Sequence, residues 1–186
     1  MNTSDVLISR LAKATDCKLL AGLINQSYRS EFACQGWTNE NELIEGLRTN
    51  ADFLMKIIDA IHSIILVFFD QNEQILTGCV CLQYKPETKT VHLCLFAVRP
   101  DLQNKGYGKL ILSTAEQYCQ RQWDADSIEL KVIVQRAELI AYYHRRGYIE
   151  TGQRQPFNPT SASRVKRDDL ATCAMRKSLK PTEENN

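Results

Sequence analysis

The sequence contains no long apolar segment. Its longest uninterrupted apolar run is Ile64 to Phe69, far short of the roughly 20 residues that a helix needs to cross a bilayer. The first residues, Met1 to Asp5, lack the basic region and apolar run of a secretory signal peptide. We therefore expect a cytoplasmic protein that has no membrane partner.

The sequence also lacks an excess of charge of either sign. Its 23 Lys and Arg residues are balanced by 22 Asp and Glu residues, which gives a formal net charge of +1. Binding driven by the phosphates of a nucleic acid requires a concentrated basic surface. The one basic cluster, Arg164 to Arg167, is followed directly by Asp168 and Asp169, as is typical of a solvated surface. We expect no nucleic-acid partner.

The seven cysteines show neither Cys-x-x-Cys spacing nor a paired-histidine spacing. An odd set of this kind argues against a disulfide framework and against a zinc site, so we expect no metal. Cys79, Cys81 and Cys94 lie in apolar runs typical of strands, where cysteine behaves as a small buried hydrophobic residue. The sequence therefore predicts free thiols in a reducing compartment.

What the sequence does contain is a regular succession of apolar elements, which we interpret as a single domain over residues 1–186 with a disordered tail at about 180–186. The N-terminal part predicts one short strand and three helices. These are a strand at Ile8 to Leu11, a helix capped by Thr15 or Asp16, a helix from about Asn39 with Leu43, Ile44 and Leu47 facing inward, and a helical stretch from Phe53 to Ile61.

The remainder predicts an antiparallel meander and then a strand–helix–strand unit, whose two strands must be parallel. The predicted elements are strands at Ile64 to Phe69, Ile75 to Tyr84 and Val91 to Val98, a helix at Gly106 to Gln122, a strand at Ile128 to Val134 and a helix at Ala137 to Arg146. Thr151 to Asp169 reads as irregular, and Thr172 to Met175 as an edge strand. The fold class is α/β (α+β), with a mixed, mostly antiparallel sheet that is flanked by helices.

A phosphate-binding loop is predicted between the third meander strand and the next helix, at Gln103-Asn104-Lys105-Gly106-Tyr107-Gly108. Glycines at 106 and 108 would let ligand oxygens approach the unpaired N–H groups of a helix start, where Lys105 and Lys109 add positive charge. The segment has no third glycine for a Rossmann fingerprint, and Gly108-Lys109-Leu110 does not fit a Walker loop. Two glycines alone fit a helix start without a ligand equally well.

The longer segment from Leu95 to Leu110 closely resembles the signature of the GNAT acetyltransferases, an apolar strand with an Ala-Val-x-Pro-like turn followed by Gln/Arg-x-x-Gly-x-Gly/Ala. The order of elements over about residues 5–150 is similar to that family as well. The resemblance implies a central parallel strand pair splayed around CoA, with acetyl-CoA as the cosubstrate. It implies cofactor contacts from Phe96, Ala97, Val98, Gln103, Asn104, Lys105, Gly106, Tyr107, Gly108 and Lys109.

The resemblance also suggests catalytic residues. Tyr143 lies four residues before Gly147, as the family's thiolate-facing tyrosine does, and a phenol can protonate a departing thiolate. His92 lies on the third meander strand, eleven residues before Gln103, and shares a face with Cys94 and Phe96 if the strand alternates regularly. A neutral imidazole there could accept the proton of the attacking amine. A backbone N–H near Val98 is the expected oxyanion donor.

The sequence departs from the family pattern at Arg136, which stands where an asparagine usually contacts pantetheine. Arg136 could meet a phosphate of the cofactor or be solvated. The acceptor side is expected among Glu31, Gln35, Trp37 and Arg48, although Trp37 could equally pack in the core.

The resemblance as a whole implies an N-acyltransferase. It would move an acetyl group from acetyl-CoA to a primary amine of a small molecule or peptide by direct attack in a ternary complex. The alternative is a non-catalytic acyl-CoA-binding sensor on the same fold. A homodimer is compatible with either function.

Overall fold

A computed structural model of the chain describes residues 7–29, 40–159 and 163–180. Its helices are α1 (Cys17–Arg29), α2 (Ala51–Asp59), α3 (Tyr107–Trp123) and α4 (Ala137–His144). Its strands are β1 (Ile8–Leu11), β2 (Ile44–Gly46), β3 (Ser63–Phe69), β4 (Leu76–Lys85), β5 (Thr90–Val98), β6 (Ser127–Ile133), β7 (Ile149–Pro156), β8 (Ser163–Val165) and β9 (Ala171–Ser178). No helix within these ranges has both the length and the apolar character to span a membrane.

Seven of the strands form one sheet in the order β1-β3-β4-β5-β6-β9-β7. All neighbouring strands in it are antiparallel except β5 and β6, which are parallel. β2 and β8 form a separate two-stranded sheet. The predicted fold class, the antiparallel meander and the single parallel pair are confirmed.

The strands β3, β4 and β5 are buried on both faces because α3 covers one face and α1 with α2 covers the other. Ile111 and Ala115 of α3 belong to one apolar cluster, while Leu20 of α1 and Leu54 of α2 belong to the second. Alternate residues of β4 enter the two clusters, so that Val80 and Leu82 face α3 and Cys79 and Cys81 face the opposite side. This alternation explains why an almost continuous apolar run forms a central strand.

The six cysteines of the described ranges are free thiols, as expected, and Cys94 is the one that is only half-buried. Cys34 lies outside these ranges.

The parallel pair is hydrogen-bonded over a short stretch only. Thr90, Val91 and His92 of β5 pair with Ser127, Ile128 and Glu129 of β6. Beyond His92 the register between these two fully described strands stops, although β5 continues to Val98 and β6 to Ile133. The two strands therefore diverge and leave a gap in the middle of the sheet.

A β-bulge lies in β5 where the gap opens. The register with β4 shifts between Cys79 and Cys81, and Leu95 has a left-handed backbone with φ of 47°. The extra residue reverses the alternation: Leu93 packs on the α3 face, whereas Leu95 packs on the α1 face. The expectation that His92, Cys94 and Phe96 share a face is therefore wrong, since Cys94 packs on the α1 side and Phe96 on the α3 side.

The helix predicted from about Asn39 to Leu47 is also wrong. Over the described part of that segment, a turn at 41–43 leads into β2, which pairs with β8. Ile44 is fully buried against Ile133 and Leu170. Pairing with a distant strand thus overrides the local pattern of a helix start.

The C-terminal part contains more sheet than predicted. Thr151 to Asp169 is not irregular, because it includes most of β7 and all of β8. β9 is not an edge strand, because it lies between β6 and β7. The predicted disordered tail falls, apart from Lys180, outside the described residues.

Candidate active site

Two cavities, each of about 300 Å³, adjoin the gap between β5 and β6. The first, here called the loop cavity, extends along Gln103, Asn104, Gly106 and Gly108. The second, here called the strand cavity, extends along His92 and the diverging halves of β5 and β6. The cavities share four lining residues, Tyr28, Phe96, Leu139 and Tyr143. These four side chains form the boundary at which a ligand in one cavity would meet a ligand in the other.

The loop that precedes α3 is shaped by two left-handed residues and one side-chain hydrogen bond. Asn104 has φ of 64° and Gly106 has φ of 87°, conformations that asparagine and glycine tolerate best. The Gln103 amide nitrogen Nε2 donates to the Val98 carbonyl at 2.9 Å, which ties the loop to the end of β5. The first turn of α3 thereby lines the loop cavity, and a helix N-terminus favours anions.

Basic side chains from the turn that follows α4 line the cavity beside this helix start. Arg145 and Arg146 line the loop cavity together with Lys109. The Arg146 guanidinium lies 3.5 Å from the centroid of the Tyr142 ring and donates a hydrogen bond to the Tyr142 carbonyl at 3.0 Å. The Tyr142 hydroxyl in turn comes close to Gly108. The cavity therefore combines a helix N-terminus with three cationic groups, which suits a pyrophosphate.

Seven of the predicted cofactor residues line the loop cavity: Phe96, Val98, Gln103, Asn104, Gly106, Gly108 and Lys109. The side chain of Ala97 is buried on the α1 face, Tyr107 packs in the core under α3, and Lys105 is exposed beside the lining. Arg136 lies in the strand cavity instead. Tyr28, Arg145 and Arg146 were not predicted from the sequence, although two consecutive arginines shortly after Tyr143 were a usable signal. Tyr142, considered from the sequence only as a less favoured alternative to Tyr143, also lines the cavity.

The open half of β5 is held by side chains of α1. The Tyr28 hydroxyl donates to the Phe96 carbonyl at 2.8 Å, and the Ser27 hydroxyl donates to the Val98 carbonyl at 3.2 Å. These bonds satisfy carbonyl groups along a stretch that β6 no longer pairs. The side chains of Ser27 and Tyr28 therefore anchor β5 to α1 beside the gap.

Tyr143 is a buried residue at the boundary between the cavities. Its ring makes edge contacts with Tyr142 and Tyr148, at 5.3 and 5.5 Å between centroids. Tyr148 is itself anchored, because its hydroxyl donates to Glu116 at 3.0 Å. Burial raises the pKa of the Tyr143 hydroxyl well above its usual value, so the phenol stays protonated. The structure therefore places a buried, neutral hydroxyl at the boundary between the two cavities.

His92 lies in the strand cavity, which Tyr143 also lines. Burial lowers the pKa of the His92 imidazole, and the charges of Lys131 and Lys85 lower it further. The imidazole is therefore neutral at physiological pH and able to accept a proton. His62 and His144 are absent from both cavity linings.

The charged side chains that line the strand cavity come from β6 and from loop segments. They are Glu40, Arg48, Lys131 and Arg136. Arg48, which was expected on the acceptor side, lines this cavity. Glu31, Gln35 and Trp37, expected beside it, lie outside the described residues. Within those residues no three His, Cys, Asp or Glu side chains are grouped to hold a metal ion.

Comparison with known proteins gives a family and a set of structural relatives. The model of the acetyltransferase (GNAT) family matches residues 26–148. A search of curated protein sequences found no match.

The spermidine N-acetyltransferase of Vibrio cholerae, solved with CoA and spermine, has a TM-score of 0.69 and 18% identity, over 93% of this chain and 95% of that chain. The spermidine/spermine N-acetyltransferase SpeG of the same organism, solved with manganese ions, has a TM-score of 0.68 and 18% identity, over 93% and 92%. At these identities the likeness establishes a common fold.

Proposed function

Because the chain belongs to the GNAT acetyltransferase family, we propose that it transfers the acetyl group of acetyl-CoA to a primary amine. The observation that carries this proposal is the position of Tyr143, a buried neutral phenol on the wall between the loop cavity and the strand cavity. A thioester that enters from the loop cavity would reach an amine in the strand cavity at this residue.

The loop cavity suits the cofactor at both of its ends. Lys109, Arg145, Arg146 and the first turn of α3 would hold the pyrophosphate. Phe96 and Leu139 supply apolar surface near the boundary, where the pantetheine arm would pass. The gap beside β5 offers strand backbone to that arm, in the manner of an added strand.

The reaction we propose is direct attack within a ternary complex. The neutral amine forms a bond to the thioester carbon, and the carbon–sulfur bond breaks as the tetrahedral intermediate collapses. His92 takes the proton that the amine nitrogen loses, directly or through a water. Tyr143 gives a proton to the departing thiolate, whose own pKa also rises in an apolar site. A backbone N–H near Val98, at the open end of β5, would stabilise the oxyanion.

Release of free thiol tests the proposal. The purified protein is mixed with acetyl-CoA and a panel of primary amines, and both the thiol and the N-acetyl product are quantified. We expect amine-dependent thiol release with stoichiometric acetylated product. Thiol release without acetylated amine would indicate hydrolysis and would contradict the proposal.

The same measurement separates the enzyme from a non-catalytic acyl-CoA sensor. One observation favours the sensor: the usual pantetheine-contacting position holds Arg136, which lines the strand cavity and ion-pairs with Glu138. Thermal stabilisation by acetyl-CoA with no transfer to any amine would establish the sensor function. We also infer a cytoplasmic location, supported by the free thiols of the six described cysteines.

A further inference from the structure

The strand cavity carries an excess of positive charge. Among its described charged side chains, Arg48, Lys131 and Arg136 are cationic and Glu40 is the carboxylate. The cationic field also reaches the proposed base, since Lys131 contributes to the lowered pKa of His92. A ligand that enters this cavity therefore meets a positive environment.

The negative charge of Glu40 is already compensated by a residue outside the cavity lining. Its carboxylate lies 3.0 Å from the guanidinium of Arg29, a residue of α1 that does not line the cavity. Both side chains are almost buried, with 12% and 5% of their surfaces exposed. A buried ion pair of this kind holds its partners in place and leaves little negative charge for a second cation.

Two of the three lining cations, Arg48 and Lys131, have no carboxylate partner within ion-pair distance among the described residues, whereas Arg136 has one. The described residues place no carboxylate within ion-pair distance of Arg48, whose guanidinium lies 5.6 Å from the Tyr28 ring centroid. Lys131 donates to the neutral Gln155 side chain at 3.1 Å. Arg136 pairs with Glu138, a carboxylate that is half-exposed to solvent. The net field at the cavity wall is therefore positive.

We propose that the acceptor is a small amine that also bears a carboxylate, and that Arg48 and Arg136 hold this carboxylate in the strand cavity. This inference rests on the proposed acetyl transfer. Guanidinium groups match carboxylates in shape and charge and bind them through paired hydrogen bonds. A polyamine would instead place a second ammonium group among three like charges, which disfavours binding. A cavity of about 300 Å³ suits a ligand of amino-acid size.

The proposal is tested with amino acids that are each paired with the corresponding carboxamide, so that the amine and side chain stay and the negative charge is removed. Spermidine is the cationic comparison, and kcat/KM is expressed per neutral amine. We expect the best amino acid to exceed its carboxamide by at least about tenfold and spermidine to be the poorest acceptor. Carboxamides or spermidine that match or exceed the acids would overturn the proposal.

Substitutions of Arg48 and Arg136 test where the carboxylate of the acceptor binds. Arg48→Gln and, separately, Arg136→Gln should lower the acid-to-carboxamide ratio about tenfold while CoA affinity is unchanged. Arg154→Gln, the same change at an exposed position of β7 outside both cavity linings, should leave the ratio intact. A ratio that survives in both Arg48→Gln and Arg136→Gln would contradict the assignment. If Arg136→Gln does not fold, Arg48→Gln is the informative variant, because Arg48 is only half-buried.

Failure of the proposed function can be told apart from failure of this inference. If no amine is acetylated, the CoA-saturated protein is titrated calorimetrically with the same acids and carboxamides. Binding of the acids that is stronger than that of the carboxamides, and that Arg48→Gln weakens, would support the carboxylate site without any turnover. Equal or absent binding of the two would overturn it.

Discussion

The hydroxyl oxygen of Tyr142 lies 2.9 Å from the point that a Cβ atom on Gly108 would occupy. That separation is shorter than real Cβ atoms tolerate, and the tyrosine is the only neighbour so near, since the next atoms lie at 3.8 Å. A larger residue at 108, in the first turn of α3, would therefore have to displace the Tyr142 side chain of α4. The residue at position 108 of α3 and the position of Tyr142 on α4 therefore depend on one another.

Gly108→Ala should weaken CoA binding about tenfold, or 1.4 kcal/mol, because the methyl group displaces Tyr142 and the loop cavity narrows. The dissociation constant is measured by calorimetry. Adding Tyr142→Phe removes the clashing oxygen, so the double variant should bind CoA as the Tyr142→Phe single variant does. Gly22→Ala, on α1 with open space around the new methyl group, is the matched control. If the double variant binds no better than Gly108→Ala, the steric explanation fails.

Tyr143→Phe should lower turnover about 100-fold, because the departing thiolate loses its proton donor. CoA affinity should stay the same, since the ring and its edge contacts remain. Tyr84→Phe, on β4 and stacked against Trp123 away from both cavities, should leave turnover unchanged. Stopped-flow thiol detection separates the chemical step from product release. A rate for Tyr143→Phe equal to that of the parent protein would remove this residue from the mechanism.

His92 should titrate below the ordinary histidine pKa of 6.5, because burial and two lysine charges oppose its protonation. The chain has three histidines, so NMR of the ring protons with His92→Gln as the assignment variant resolves its midpoint. Lys131→Gln should move the midpoint upward, and Lys85→Gln should move it less.

The same shift sets the sign of its effect on stability. The unfolded chain binds a proton at His92 at a higher pH than the folded chain, so the free energy of unfolding falls as pH drops below about 6.5. A midpoint above the ordinary value would exclude the cationic environment inferred for the strand cavity.

Leu95→Val should destabilise the protein more than Leu93→Val does. The two leucines are equally buried, each 3% exposed, and each change removes one methylene. Leu95 has a positive φ, however, which a β-branched residue adopts with strain, whereas Leu93 lies in regular strand. We expect roughly 1 kcal/mol for Leu93→Val and about 1–3 kcal/mol more for Leu95→Val, measured by urea unfolding. Equal losses would show that the bulge carries no strain.

Features encoded by neighbouring residues could be predicted from the sequence. The turn from Val98 into α3 is specified locally by Pro100, Gly106 and Gly108, so the loop was found together with the helix that it begins. Tyr143 lies four residues before Gly147, and the structure places Tyr143 in the last turn of α4 and Gly147, with a φ of 84°, in the turn that follows. Short-range rules were sufficient for seven of the residues that line the loop cavity.

Features that depend on distant partners could not be predicted. β2 is a strand because β8 pairs with it from far along the chain, and nothing near Ile44 records that partner. β7 is mostly exposed and has no apolar alternation, so it is a strand only through its pairing with β9. The bulge at Leu95 uses neither glycine nor asparagine, and its reversal of faces was therefore invisible. The strand cavity is lined in part by β5 at the bulge and by β7, which is why its lining was the part least predictable from the sequence.

The short pairing of β5 with β6 also has a mechanical meaning. Three residue pairs form the register between β5, the last strand of the four-stranded part of the sheet, and β6, the first of the three strands that follow it. The sheet therefore consists of two parts, β1-β3-β4-β5 and β6-β9-β7, joined by a short strand pairing. A molecule bound in the gap would contact both parts. The binding of this molecule would then stabilise the arrangement of the two parts of the sheet. Amide hydrogen exchange in β6 and β9 should slow when a ligand occupies the gap. The ligand would then stabilise the sheet as well as take part in the reaction.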